Sequence, residues 1–170
     1  MLKLAAALAM CATSAAAEGW QVMYLAGSGG SRPMQVGPNE GGIPFAYVDN
    51  ARGERLFLEC HETGSTTRDY TWTIRIYPGT EPNFLPKDPQ GNQFTFTFDG
   101  TNADYDIGNF TFVQDAFWAD INEYLAADIR TNSVIRVEMP GRFVEDGKTY
   151  RTEFTLAGST AALNTACPPL

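Results

Sequence analysis

The sequence predicts a mainly β protein: an antiparallel β-sandwich or barrel of about eight strands with one packed α-helix. Three observations predict it. Residues 70–77 and 93–99 alternate apolar and polar side chains with a period of two. One longer stretch, Phe117 to Leu125, carries helical spacing. No internal repeat and no domain linker divides the chain.

Residues 1–17, MLKLAAALAMCATSAAA, have the layout of a bacterial secretory signal peptide. Lys3 supplies the positive start, Leu4 to Ala12 is the apolar run, and Ala15-Ala16-Ala17 is the small-residue cleavage pattern before Glu18. Cleavage between Ala17 and Glu18 leaves residues 18–170 as a single β-rich domain, periplasmic or secreted, long enough to bury a proper core. Lipid attachment at Cys11 wants a small residue directly before the cysteine, and Met10 breaks that pattern. No other apolar stretch approaches the roughly 20 residues of a membrane-crossing helix, so no membrane span is expected.

Along the remaining chain, strands are expected at Trp20–Leu25, Pro44–Val48, Arg55–Cys60, Tyr70–Tyr77, Gln93–Asp99, Asn109–Val113 and Val134–Met139. Trp72, Ile74 and Ile76 share one face of their strand, and Phe94, Phe96 and Phe98 share one face of theirs. A hairpin is expected from Arg142–Val144 through Glu145-Asp146-Gly147-Lys148 to Thr149–Leu156, with Tyr150, Thr152, Phe154 and Leu156 inward. Phe117, Ile121, Tyr124 and Leu125 form one helical face, with Asp115 as N-cap. Trp118 falls one step off that face and, with Tyr70 and Tyr105, is a candidate for exposure. A short helix over Thr160–Thr165, capped by Ser159, would deliver Cys167 to a partner. Ala26–Gly42 and Pro78–Asn92 read as loops, the second with Phe84-Leu85 either folded onto the core or presented as an anchor.

Loss of Cys11 with the leader leaves the even pair Cys60 and Cys167, which an oxidising compartment makes a disulfide. It would close a loop of over 100 residues, for which chain entropy gives roughly 4.7 kcal/mol. The alternative, a metal pair with His61, is disfavoured because adjacent residues on a strand point to opposite faces.

Chemistry is narrowed by what is scarce. Twelve Lys+Arg against 20 Asp+Glu give a net charge of −8, which repels nucleic acid and anionic membranes. The single histidine, His61, sits between acidic residues beside a cysteine expected to be oxidised, the surroundings of a turn histidine rather than a catalytic base. No G-x-S-x-G, H-E-x-x-H or P-loop is present, and Gly27-Ser28-Gly29-Gly30 lacks the lysine and helix of a phosphate cradle. The most site-like acidic cluster runs from Asp99 to Asp106. Asp99, Asp104 and Asp106 are weak calcium candidates there, because the EF-hand spacing fails at Gly108 and Val113. Otherwise the stretch reads as a solvated hairpin loop, and no cofactor is called for.

The early Trp20, the strand LFLEC ending at Cys60, the strand end FTFDG and the closing FTLAGSTAALNTAC resemble small periplasmic proteins of the invasion-associated locus B type. They also resemble VasI-type periplasmic accessory proteins of type VI secretion. The resemblance implies a β-rich body and a non-enzymatic envelope role, and transfers no site residue. The expected function is therefore an exported protein-interaction or accessory module with a protein partner in the envelope, a basic one suiting the charge. Two other readings remain: a barrel holding a small apolar ligand, which a Phe-filled interior would exclude, and an inhibitor of a basic host hydrolase such as lysozyme.

Overall fold

The computed structural model describes residues 19–26, 34–40, 42–62, 70–79, 85–99, 104–113 and 115–167. The leader, the Ala17–Glu18 cleavage site and Phe84 lie outside the described residues. Ten strands are described: β1 (Gln21–Ala26), β2 (Met34–Val36), β3 (Ile43–Asp49), β4 (Arg55–Glu62), β5 (Tyr70–Tyr77), β6 (Asn92–Phe98), β7 (Asp104–Val113), β8 (Ala116–Ile121), β9 (Val134–Met139) and β10 (Tyr150–Thr155). Two helices accompany them, α1 (Glu123–Thr131) and α2 (Ser159–Ala166). Every pairing is antiparallel, in one sheet of order β10-β9-β6-β7-β8-β5-β4-β3-β1-β2.

The expected class, mainly β and antiparallel, is what the fold has; the sandwich or barrel of about eight strands with one helix is replaced by an open ten-stranded sheet and two helices. The sheet curls, so that residues from both of its halves enter one core: Leu56, Leu58, Ile74 and Ile76 from one, Phe94, Phe96, Ile135 and Phe154 from the other. Closure into a barrel fails at a definable seam. The edge carbonyls of β10 that a neighbouring strand would use are taken singly by donors from the other half. Arg52 donates to the Arg151 carbonyl at 2.7 Å, Asn50 Nδ2 to Glu153 at 3.2 Å, and Trp20 Nε1 to Thr155 at 2.9 Å. The Trp20 N–H donates to Ala157 at 2.9 Å. A protected edge of this kind satisfies the backbone acceptors while offering no ladder for another strand.

Period-two alternation dictates the core. The inward residues of β5, β6 and β10 named above are all buried. Phenylalanine rings fill the centre, Phe94 lying 4.7 Å from Phe110 and 5.1 Å from Phe117, edge to face.

The helical reading of residues 117–125 is corrected. Residues 116–121 form β8, paired on both sides with β5 and β7 and burying Phe117 and Ala119. Asp115 is not an N-cap but sits at φ 66° in the tight turn between Val113 and Ala116, a left-handed conformation that aspartate tolerates. The helix begins later, where Asn122 accepts the Leu125 N–H, and Tyr124 is exposed. The reason is that Ala-Phe-Trp-Ala-Asp-Ile satisfies both periods, and two waiting strand edges select the shorter one.

The expected hairpin is also corrected. Gly141–Phe143 is a 3-10 turn, and β10 pairs instead with β9. The stretch Ala26–Gly42 contains the short edge strand β2. At the C-terminal end, Ser159 opens α2 rather than capping it: Gly158 occupies the N-cap at φ 81°. The Ser159 hydroxyl donates to the Ile129 carbonyl and Thr160 to that of Arg130, satisfying acceptors left over at the end of α1. Helix α2 then packs over β1, β3 and β4 and brings Cys167 to Cys60, with the sulfurs at bonding distance and the Cα atoms 5.9 Å apart.

Candidate functional site

The strands that bury one face into the core carry a second apolar cluster on the other. Met23, Leu25 and Phe45 are buried there, with Tyr47 and Phe57 packed against them. The cause lies in β3 and β4, where Phe45-Ala46-Tyr47-Val48 and Leu56-Phe57-Leu58 place apolar residues at successive positions, so both faces are apolar. Register then aligns a row across the outer face: Tyr47 opposite Phe57, Phe57 opposite Arg75, Arg75 opposite Trp118. A second row sets Asp49 opposite Arg55 and Arg55 opposite Tyr77.

These rows enclose a groove of about 630 Å³. Leu25 and Phe45 form one wall, Val113 and Trp118 the other, and Phe57 and Arg75 the floor. Trp118 is 42% and Val113 44% exposed. Charge inside it is internally matched. Arg55 grips Asp49 with Nε and an NH2 group, the latter at 2.6 Å, and this hydrogen bond raises the guanidinium pKa above its ordinary value. It also lies over the rings of Tyr47 and Phe57. Arg75 bonds the buried carboxylate of Glu59 at 2.7 Å and lies over Phe45. Chemically the groove offers apolar area, ring faces and paired charges, the mixture of Trp, Tyr and Arg that concentrates binding energy at interfaces.

A second cavity, also about 630 Å³, lies between residues 50–52 and the outer face of β6, β9 and β10. Charged and threonine side chains line it, and its charges pair directly across the strands, Arg151 with Glu138 at 2.6 Å and Arg136 with Glu153 at 3.0 Å.

The acidic cluster is not brought together. Asp104 and Asp106 belong to β7 rather than to a loop, opposite Thr97 and Thr95, and Asp106 accepts from the Thr95 hydroxyl at 2.5 Å. Asp99 accepts the backbone N–H groups of Val134 and Ser133, at 2.9 and 3.1 Å. Those bonds, Val134 first, hold its carboxyl below the usual range. Among the described residues no group of three His, Cys, Asp or Glu side chains is placed to hold a metal. Tyr105, expected at the surface, packs against the core, and its hydroxyl donates to Asp128, which pushes its pKa up to about 12. His61 lies in β4 opposite Thr71, not in a turn; its side chain and that of Tyr70 lie outside the described residues. Leu85 is exposed, while its backbone is fastened along residues 143–145.

Among the described side chains, Trp118 is thus the one sequence candidate that enters the groove. Phe45, Phe57, Arg55, Arg75 and Tyr77 were not singled out, although consecutive apolar residues on short strands signalled a second apolar face. Comparison with protein-family models, curated proteins and solved structures finds no match.

Proposed function

We propose that this chain is an exported, non-enzymatic module of the bacterial envelope, periplasmic or secreted, that works by holding a protein partner on its outer sheet face. The observation that carries the reading is the groove: an exposed Trp118 beside Phe45, Phe57, Tyr77 and two arginines, on the side of the sheet facing away from the core. The secretory layout of residues 1–17 supports export, and the Cys60–Cys167 pair suits an oxidising compartment. The likeness to envelope accessory families points the same way. A ligand held inside a barrel is disfavoured, because Phe94, Phe96, Phe110 and Phe117 occupy the centre and are fully buried.

The test replaces Val113, 44% exposed in the groove, with a photo-crosslinking residue in intact cells, and Tyr124, 66% exposed on α1, in parallel. A discrete adduct formed from position 113 and not from position 124 is expected. Equal background from both positions would sink the reading. Inhibition of lysozyme by excess mature protein would redirect it toward a hydrolase inhibitor.

A further inference from the structure

The outer face already stacks guanidinium on aromatic rings, Arg55 over Tyr47 at 4.5 Å and Arg75 over Phe45 at 5.4 Å, and in both cases a carboxylate of the same face neutralises the cation. Trp118 breaks the pattern. Its indole is the best cation-binding ring of the set, and among the described residues no cation lies over it. Two carboxylates lie near it in the chain, one on its own strand and one in the turn before it. Asp120 lies two residues along the same face, about 7 Å away, and among the described residues receives only the neutral Thr73 hydroxyl, at 2.9 Å. Asp115 is exposed in the turn at the head of the strand. No cation among the described residues pairs with either.

The groove is also long. It draws residues from six neighbouring strands, β1 through β7 in sheet order. Five gaps of about 4.8 Å make about 24 Å, the span of about seven residues of extended chain. A second copy of this chain, or a polyanion, meets the repulsion of a net charge of −8.

We propose that the groove takes an extended segment of a basic protein partner, which lays an arginine or lysine side chain on Trp118 between Asp115 and Asp120. Apolar side chains of the segment fill the trough over Phe57. The proposal rests on the interaction reading above and adds the partner's chemistry to it.

A blocked seven-residue peptide with leucine at positions 1, 3 and 5, arginine at position 7 and serine between them puts all four on one face of an extended chain; titrated calorimetrically into the folded chain, it tests the chemistry. It is expected to bind, to shift the Trp118 indole N–H resonance, and to weaken as salt rises. Trp118→Leu keeps apolar area but removes the ring and should weaken binding about tenfold. Asp115→Asn with Asp120→Asn should weaken it several-fold and flatten the salt dependence. The same peptide with glutamate in place of the arginine should not bind. Equal binding of both peptides, no binding of the arginine peptide, or indifference to Trp118→Leu with an unchanged melting temperature overturns the proposal. The in-cell crosslink separates the two levels. An adduct at position 113 with a neutral or acidic segment keeps the interaction module and discards the cationic segment, whereas absence of any adduct discards the module itself.

Discussion

The fully buried carboxylate of Glu54 accepts a hydrogen bond from the Thr152 hydroxyl, joining the β3–β4 turn to the far edge strand of the sheet. The Tyr150 hydroxyl donates to the same carboxylate at 3.0 Å, Asn50 Nδ2 at 2.6 Å, and Arg52 approaches at 2.9 Å. Burial, with the negative charge of Glu54, raises the Tyr150 phenol and keeps it a donor. This network stands where strand pairing would have closed a barrel.

Glu54→Ala should therefore destabilise the chain through the seam. A hydrogen bond to a charged group contributes about 1.5–3 kcal/mol, and Tyr150 and Thr152 each lose their bond to Glu54. Urea unfolding should show a lower midpoint with an unchanged slope. A wild-type midpoint would mean that water replaces the carboxylate without cost.

Reduction of Cys60–Cys167, or the Cys60→Ser and Cys167→Ser double variant, should cost about 2–5 kcal/mol. The bond ties residues 107 positions apart and anchors α2 across β1, β3 and β4. Hydrogen exchange in the reduced protein should therefore rise first in α2. Uniform loss of protection across the sheet would show that the helix is not the separable unit.

Phe117 and Trp118 are neighbours with opposite fates, one fully buried and one 42% exposed on the outer face. Phe117→Ala should cost about 3–5 kcal/mol, since the ring packs against Phe94 and Phe112. Trp118→Ala should cost clearly less than Phe117→Ala, because the indole is 42% exposed, while abolishing partner capture. Comparable losses of stability would mean that Trp118 holds the fold instead of a partner.

Asp99 ties the end of β6 to the start of β9 through the N–H groups of Ser133 and Val134. Its folded-state pKa is depressed, so it stabilises the fold above the unfolded value, about 3.9, and that contribution disappears as pH falls through the folded value. Asp99→Ala should melt below wild type at pH 7, and the gap should close toward pH 2. A gap that persists in acid would assign the effect to something other than the charge.

The local chemistry of the chain by itself determined the strands that alternate cleanly. Trp72, Ile74 and Ile76, then Phe94, Phe96 and Phe98, could bury only one face each, and they do. The parity of Cys60 and Cys167, and the short helix that carries the second of them, were equally legible, because each depends on residues close in sequence or on a count. Tertiary structure decided what had two local solutions. Residues 116–121 fit a helix or a strand, and the open edges of β5 and β7 chose the strand, moving Trp118 onto the outer face opposite Arg75. Asp104 and Asp106 looked like loop acids until pairing with Thr97 and Thr95 drew them into β7. The open sheet was out of reach in the same way. Whether β10 meets a strand or a row of side-chain donors depends on Trp20, Asn50 and Arg52, which lie about a hundred residues or more away. Periodicity reports which face of a strand is apolar; only the folded chain decides which edges meet, because that choice is made by non-local hydrogen bonds that leave no repeat in the sequence.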